Sequence, residues 1–292
     1  MWTRGRGCHE LADLLGSQQP ARVTADLLDA AVQCRSTMLV SRKLPPSDLL
    51  RAAVPIDFKR SGIKAVVAAV AGGPNSRTAA LVARRLGATL GVRAFMASAY
   101  RSNGRREGAV SVVESLFPLV PDLEHRLIGA DNARQLISQL PKDCLLVIGA
   151  PGGNWFQRVL FGPGARLRQK ASGGVVIARS APSRVFQVMG DPRFVSPYHE
   201  AGDVLRLHSH RVLAVADNGA LVGVVRRSSL MAAGSSTPVA EVMEGSRSVQ
   251  QSDPVSDLAA HGDWFGDSPV PVVDESGRLV GSVNRRPDPS TL

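Results

Sequence analysis

Residues 63–180 alternate short apolar runs with longer stretches in which apolar residues recur at helical spacing. Continuous apolar, β-branched runs are typical of strands covered on both faces. They predict strands at 63–70, 91–99, 124–128, 144–148 and 174–179. Helices are predicted at 77–88 (with Asn75 or Ser76 as N-cap), near 107–117, from Asp131 onward and at 164–171. Strands separated by helices of this length indicate an α/β fold with a parallel, five-stranded, doubly wound sheet.

A glycine-rich run follows the fourth predicted strand. In GAPGGNWFQRVLFGPGA (149–165), Gly149, Gly152 and Gly162 have the spacing G-x2-G-x9-G. Glycines let backbone N–H groups approach an anion, and the helix behind them adds its positive N-terminal partial charge. Ligands of doubly wound sheets bind at the carboxyl ends of the strands, where this run and the turn at 71–76 both lie. The predicted nucleotide contacts are Gly149, Gly152, Gly153, Arg158, Gly162, Gly164, Gly72 and Val70.

The second half of the sequence contains two copies of one pattern. HRVLAVADNGALVGVVRR (210–227) and VPVVDESGRLVGSVNRR (270–286) each contain a strand, an acidic turn, Leu-Val-Gly and a basic end. Gly223 and Gly281 lie 58 residues apart in these copies, and each copy predicts a β-hairpin. The repeat predicts a tandem pair of small α+β modules that pack against each other. Their predicted bounds are 184–235 and 236–287, after a linker at 180–183.

The first 62 residues give a less regular pattern. Residues 24–34 are helix-like and residues 36–41 are strand-like, which predicts a partial α/β unit. It would either dock on the main sheet or be the remnant of a decayed repeat. Pro45, Pro46 and Pro55 are expected to interrupt the chain after it.

The charge of +10 is concentrated in one segment. Residues 63–180 hold 16 lysines and arginines against six acidic residues, so a polyanion is expected to meet the protein there, unless these arginines form only a solvated face. The three cysteines, Cys8, Cys34 and Cys144, fit neither a disulfide framework nor a zinc site, which favours a cytoplasmic location. No apolar run of about 20 residues predicts a membrane helix, and no secretory signal is expected.

Residues 63–180 resemble the universal stress protein family. The resemblance rests on the apolar first strand, the Gly-Gly-Pro-Asn-Ser turn, the G-x2-G-x9-G loop and the final strand Val-Val-Ile-Ala-Arg. Residues 184–286 resemble a pair of CBS (cystathionine-β-synthase-type) domains, through the two hairpins and the segments RVFQVMG and PVAEVMEG. Both resemblances imply binding of an adenine nucleotide such as ATP, at separate sites.

The chain departs from the nucleotide-binding pattern of the stress proteins at two positions. Nucleotide-binding members carry an Asp where this chain has Ala71, and a hydroxyl residue where it has Pro163. Loss of a charge-assisted hydrogen bond costs about 1.5–3 kcal/mol, or one to two decades in affinity. Arg158 would compensate in part by neutralising phosphate charge. The residues leave both retained and lost ATP binding open.

The CBS-like hairpins also depart from their family's ligand-binding pattern. Binding members end each hairpin with an Asp that holds the ribose, and this chain has Ser229 and Pro287 at those positions. The remaining candidates for contact with phosphate are Arg226, Arg227, Arg285 and Arg286. The pattern therefore favours a packing and dimerisation module over a nucleotide sensor.

No constellation of nucleophile, base and metal ligands predicts catalysis, so the chain is not expected to be an enzyme. The interpretation is a stress-associated regulatory protein that binds an adenine nucleotide at the glycine loop, with the CBS pair providing homodimerisation and signal coupling. Two alternatives stay open. One is a basic factor that binds RNA, the ribosome or a protein partner through residues 63–180, and the other is a structural adaptor whose nucleotide sites have decayed.

Overall fold

The structure, a computed structural model, describes residues 6–16, 31–32, 37–45, 48–101, 106–131, 133–150, 171–258 and 269–283. The chain divides into two units, Met1–Ala181 and Pro182–Leu292. In these described ranges, no helix combines the length and the apolar character that crossing a membrane requires.

A seven-stranded sheet forms the first unit, in the order β1-β2-β7-β6-β3-β4-β5. Its strands are β1 (Met38–Val40), β2 (Arg51–Ile56), β3 (Ala65–Val70), β4 (Arg93–Tyr100), β5 (Glu124–Gly129), β6 (Cys144–Gly149) and β7 (Val175–Arg179). Strands β3 to β7 pair in parallel throughout. They occupy the five positions at which the sequence predicts strands. The sheet is nevertheless two strands wider than predicted, because β1 and β2 extend it beyond β7.

The central strands are buried on both faces. Every residue of β3 and β6 is buried, and successive side chains of β3 belong to opposite cores. One core receives Val66 and Val70, and the other receives Val67. A sheet covered on both faces needs apolar residues at consecutive positions, which explains why these strands are continuous apolar runs rather than alternating ones.

Helices cover the two faces of this sheet. Their bounds are α1 (Arg6–Leu14), α2 (Gly73–Leu90), α3 (Arg106–Leu116) and α4 (Ala133–Ser138). Helices α1, α2 and α3 contribute to the core on one face, and Leu136 of α4 contributes to the core on the other. Helix α2 ends at Leu90 and is capped by Gly91, which has a left-handed φ of 66°.

The first residues of the chain belong to the main sheet. Strand β2 pairs antiparallel with β7 and places Pro55 opposite Val176, although the sequence was expected to be interrupted at this proline. Strand β1 pairs only with residues 51–53 of β2, so Pro55 lies where the other edge of β2 has no described partner strand. Proline is tolerated at such an edge because its missing N–H removes no ladder hydrogen bond. Most of the helices predicted at 24–34 and 164–171 lies outside the described residues.

Two three-stranded sheets form the second unit. One sheet contains β8 (Phe194–Val195), β9 (Val212–Asp217) and β10 (Ala220–Arg226), and the other contains β11 (Val249–Gln250), β12 (Val270–Val273) and β13 (Leu279–Val283). The helices are α5 (Ala201–Leu207), α6 (Arg227–Ala232) and α7 (Val239–Val242). Strand pairing confirms both predicted hairpins. Asn218 and Gly219 both have positive φ, as a tight hairpin turn requires.

The two hairpins join each other through reciprocal hydrogen bonds. The Leu221 N–H donates to the Gly277 carbonyl at 3.2 Å, and the Leu279 N–H donates to the Gly219 carbonyl at 2.8 Å. Each residue of one bond is 58 positions from its counterpart in the other, the same spacing as the sequence repeat. The repeat therefore corresponds to a local two-fold arrangement of the hairpins.

Each module is completed by the opening segment of the other. Val185, at the start of the first module, lies in the core of the second sheet with Val272. Val239 of α7, at the start of the second module, lies in the core of the first sheet with Val215. The bounds 184–235 and 236–287 consequently follow the sequence repeat and not the two cores. The similarity between the two repeats does not reveal this exchange, because the exchange depends on which core each segment packs into.

The glycines of the two Leu-Val-Gly motifs, Gly223 and Gly281, leave room for these exchanged segments. A Cβ atom at Gly223 would lie 2.6 Å from the Glu244 carbonyl oxygen, and one at Gly281 would lie 2.7 Å from the Met189 sulfur. Val224 and Glu244 exchange two backbone hydrogen bonds at this contact. The repeated glycine is therefore a requirement of close backbone packing.

Candidate functional site

The turn after β3 and the first two residues of the glycine run, Gly149 and Ala150, lie at the carboxyl edge of the parallel strands, at the point where the strand order reverses. Strand β3 leads to β4 on one side, whereas β6 pairs with its other side. Doubly wound sheets bind ligands in the crevice at such a switch point. Ala69 of β3 pairs with Ile148 of β6, so Val70 and Gly149 end two neighbouring strands. The structure thus brings these two predicted site residues to one edge.

The turn after β3 is tighter than predicted. Gly72 and Gly73 both have positive φ, 92° and 78°, and helix α2 begins at Gly73 with Pro74 in its first turn. The Ser76 hydroxyl accepts a hydrogen bond from the Ala71 N–H at 3.0 Å and donates one to the Gly72 carbonyl at 2.9 Å. The predicted cap at Asn75 or Ser76 is therefore wrong. The two glycines allow the helix to start about one turn earlier, with Gly72 at the N-cap.

Asn75 fills the space between the ends of β6 and β7. Its Nδ2 donates to the Ala150 carbonyl at 3.1 Å, and its Oδ1 accepts from the Ser180 N–H at 2.8 Å. Gly149 packs directly against it: a Cβ atom there would lie 3.0 Å from the Asn75 Cβ and 3.2 Å from the Asn75 carbonyl oxygen. The first glycine of the motif therefore has a packing role, and its contact with a nucleotide stays a prediction.

Most of the predicted loop lies outside the described residues. Gly149 and Ala150 are described, and the description resumes at Ala171. Gly152, Gly153, Arg158, Gly162, Pro163 and Gly164 fall within the gap. Their assignment as nucleotide contacts stays a prediction.

The described part of the site contains few ionisable groups. Ala71, at the end of β3, is half-buried and supplies no carboxylate for a ribose. Cys144 lies at the opposite end of β6, where burial raises the pKa of its thiol to about 11, so it is a neutral thiol near pH 7. Among the described residues, no group of three or more His, Cys, Asp or Glu side chains could hold a metal ion.

Several basic side chains of residues 63–180 pair with acids. Lys64 contacts Asp143 at 2.9 Å, Arg84 contacts Asp122 at 2.9 Å, and Arg93 contacts Glu124 at 2.7 Å. The hydrogen bond that Lys64 donates to the Asp143 carboxylate raises the pKa of Lys64. These exposed pairs reduce the charge that the surface presents to a polyanion, although each stabilises the fold only weakly.

In the second unit, the two described phosphate candidates already have partners. Arg226 pairs with Glu244 at 3.3 Å across the exchanged contact, and both side chains are about half exposed. The Arg227 guanidinium donates to the His208 carbonyl at 2.5 Å, at the end of α5. An anion at Arg226 would therefore compete with a carboxylate. Arg285, Arg286 and Pro287 lie outside the described residues.

Sequence reasoning did not identify the bridging role of Asn75 or the pairing of Glu244. The local sequence marks Asn75 only as a candidate helix cap, because its two partners are 75 and 105 residues away. Glu244 pairs across the exchange. The available signal for that exchange was the Met-Gly and Met-Glu pair near the start of each module, since these methionines lie close to the repeated glycines.

No protein-family profile matches the chain, and no curated protein matches it. Among solved structures, the chain is similar to the soluble part of a magnesium transporter, at 20% identity and a TM-score of 0.31, over 34% of this chain and 43% of that one. A protein with a CBS domain pair and an ACT domain from Thermotoga maritima gives 22% identity and a TM-score of 0.32, over 35% and 88% of the two chains.

A CBS-pair protein of Arabidopsis thaliana, in complex with AMP, gives 25% identity and a TM-score of 0.31, over 35% and 90% of the two chains. The matched structures thus include CBS domain pairs, and they cover about a third of this chain. The resemblance of residues 63–180 to universal stress proteins remains an inference from the sequence.

Proposed function

We propose that the chain is a non-catalytic, stress-associated regulatory protein that binds an adenine nucleotide at the carboxyl edge of its seven-stranded sheet. The observation that carries this proposal is the switch point between β3 and β6. There, the positive-φ turn at Gly72 and Gly73 lies beside Gly149, the first residue of the glycine motif. A parallel sheet places its ligand crevice at this position. The sequence resemblances supply ATP as the probe ligand.

The affinity should be modest, because Ala71 and Pro163 remove contacts that nucleotide-binding stress proteins make. Two missing hydrogen bonds, one of them charge-assisted, correspond to about 2–4 kcal/mol. That loss reduces affinity by about 1.5 to three decades. ATP is therefore expected to bind more weakly, by that factor, than it binds to stress proteins that keep both contacts.

Calorimetric titration of the full chain with ATP tests the site. The wild-type protein is expected to release heat at a single site, and Gly152→Val is expected to remove that heat, because a branched side chain blocks the approach of the backbone to phosphate. Gly108→Ala is the matched control. Gly108 is exposed in α3, and a Cβ atom there meets nothing within 4 Å, so ATP binding should be unchanged.

Two results would reject nucleotide binding. One is negligible heat for the wild-type protein at millimolar ATP, and the other is equal heat for wild type and Gly152→Val. If RNA binds instead, with an affinity that falls steeply with salt and is indifferent to Gly152→Val, the basic surface of residues 63–180 is the functional one. If neither ligand binds, the chain is a structural adaptor.

The second unit is proposed to form a homodimer and to couple its arrangement to ligand occupancy. Leu207 at the end of α5 is 71% exposed, and Met231 in α6 is 68% exposed. The two helices pack against each other, so these apolar side chains lie on adjoining elements. Large exposed apolar side chains in close proximity favour association with another protein surface.

Light scattering after gel filtration tests the dimer. The wild-type chain is expected at about twice its mass of 30.9 kDa, and the double variant Leu207→Glu/Met231→Glu is expected at the monomer mass. A buried carboxylate without a partner is costly, so two per subunit should dissociate the interface. Phe117→Glu, on a 48% exposed side chain of the first unit, is the control and should leave the mass unchanged. A monomeric wild-type protein would contradict the proposal.

A further inference from the structure

Asn75 connects three parts of the chain that are far apart in sequence. It lies in the first turn of α2, and its side-chain amide bonds the backbone of residues 75 and 105 positions away. The Nδ2 group donates to the Ala150 carbonyl, and the Oδ1 atom accepts from the Ser180 N–H. If the amide were flipped, its NH2 group would face the Ser180 N–H and its oxygen would face the Ala150 carbonyl. The two partners therefore fix the orientation of the amide.

Both partners lie just beyond the ends of strands. Gly149 and Ala178 form the last residue pair of β6 with β7, and the Ala150 N–H still donates to the Ala178 carbonyl at 2.7 Å. Ala150 opens the glycine loop. Ser180 directly follows β7, two residues before the second unit begins at Pro182. The Asn75 amide thus connects the residues that follow β6 and β7, at the point where the two strands no longer pair.

The position of Asn75 depends on the absence of a side chain at residue 149. A Cβ atom at Gly149 would lie 3.0 Å from the Asn75 Cβ and 3.1 Å from its carbonyl carbon. Contacts this short force the helix terminus away from the strand, because backbone atoms cannot rotate aside. Gly149 and Asn75 therefore form one packed unit at the base of the loop.

We propose that Asn75 is a positioning residue that connects the base of the glycine loop to the start of the linker. A ligand in the loop then changes how firmly the backbone is held at Ser180. The coupling rests on the nucleotide site proposed above. A change in the direction of the chain at Ala150 strains the Nδ2 bond. The same rigid amide group then transmits that displacement to the Ser180 N–H.

Amide hydrogen exchange at Ser180, followed by NMR on the full chain, tests the connection. Without ligand, Asn75→Ala should raise the exchange rate of the Ser180 amide about tenfold, because its acceptor is lost. Asn75→Asp keeps an acceptor oxygen and should keep the protection, while it sets a carboxylate oxygen against the Ala150 carbonyl. This variant should weaken ATP binding about tenfold.

The matched control is Thr78→Val. Thr78 lies two residues beyond Ser76 in the same helix, and its hydroxyl donates to the Pro74 carbonyl at 3.3 Å. Its substitution should lower the thermal midpoint slightly and leave both Ser180 exchange and ATP affinity unchanged. In the wild-type protein, ATP should change the Ser180 exchange rate at least twofold, and in Asn75→Ala it should not.

The outcomes separate this inference from the proposed function. Equal Ser180 exchange in wild type and Asn75→Ala, measured without ligand, overturns the role of Asn75 and leaves nucleotide binding standing. An effect of Thr78→Val on ATP affinity equal to that of Asn75→Asp also overturns it, because the effect would then be one of helix stability. Absence of ATP binding to the wild type overturns the proposed function, and the coupling with it.

Discussion

Replacing Gly174 with alanine is expected to destabilise the first unit by about 3–5 kcal/mol. Gly174 precedes β7 with a φ of +85°, a conformation that costs an L-residue about 1–2 kcal/mol. The new methyl group would also lie 2.5 Å from the Asp57 carbonyl oxygen and 2.7 Å from its carbon. Relief of that contact requires β2 and β7 to separate where they pair, because Asp57 follows the end of β2.

Gly62→Ala is the matched control for Gly174→Ala. Gly62 has a φ of +80°, and a Cβ atom there meets nothing within 4 Å. The Gly62→Ala variant should lose only the conformational contribution, about 1–2 kcal/mol, from its free energy of unfolding. Urea unfolding followed by circular dichroism, with a separate transition fitted for each unit, gives both values. Equal losses at the two glycines would show that β2 does not lie against the start of β7.

Gly223→Ala is expected to have the second largest effect, a loss of about 2–4 kcal/mol from the second unit. The Cβ atom would lie 2.6 Å from the Glu244 carbonyl oxygen, which accepts a 2.9 Å bond from the Val224 N–H. Neither backbone segment can move without breaking the pair of bonds between them. The exchanged segment should therefore detach from the first sheet and expose Val239.

Gly245→Ala provides the comparison within the same segment. Gly245 follows Glu244, and a Cβ atom there meets nothing within 4 Å, so the free energy of unfolding should change by less than about 0.5 kcal/mol. Urea unfolding of the second unit measures both variants. If Gly223→Ala proved as mild as this control, the segment after the first module would not pack on β10.

The sequence was sufficient to predict the parallel strands and both hairpins. Strand β3 is recognisable because all six of its residues are apolar, and the turn of β9 with β10 because Asn218-Gly219 is the local signal for positive φ. Both signals are contained within a few residues. Burial on two faces leaves no polar residue in the strand, so the pattern identifies it without reference to the rest of the chain.

The strand-like pattern of residues 36–41 predicted β1, but it left open whether this strand joins the main sheet. Strand β2 was not predicted. The positions of both strands depend on distant partners. Strand β1 has three residues, and β2 carries a proline that is acceptable only because β1 ends before it. Neither property appears in a local pattern. The same holds at the candidate site, where glycine spacing indicated the loop but gave no sign that Asn75 would meet Ala150 and Ser180.

The exchange of segments in the second unit has a consequence for how that unit can be divided. A cut between Ser235 and Ser236, in an exposed turn, would leave each fragment holding one apolar segment that belongs in the other's interior. The two pieces should reassemble from solution as a split protein does, and neither should fold well alone. The smallest unit that folds is therefore the pair of modules, although the sequence repeat is only one module long.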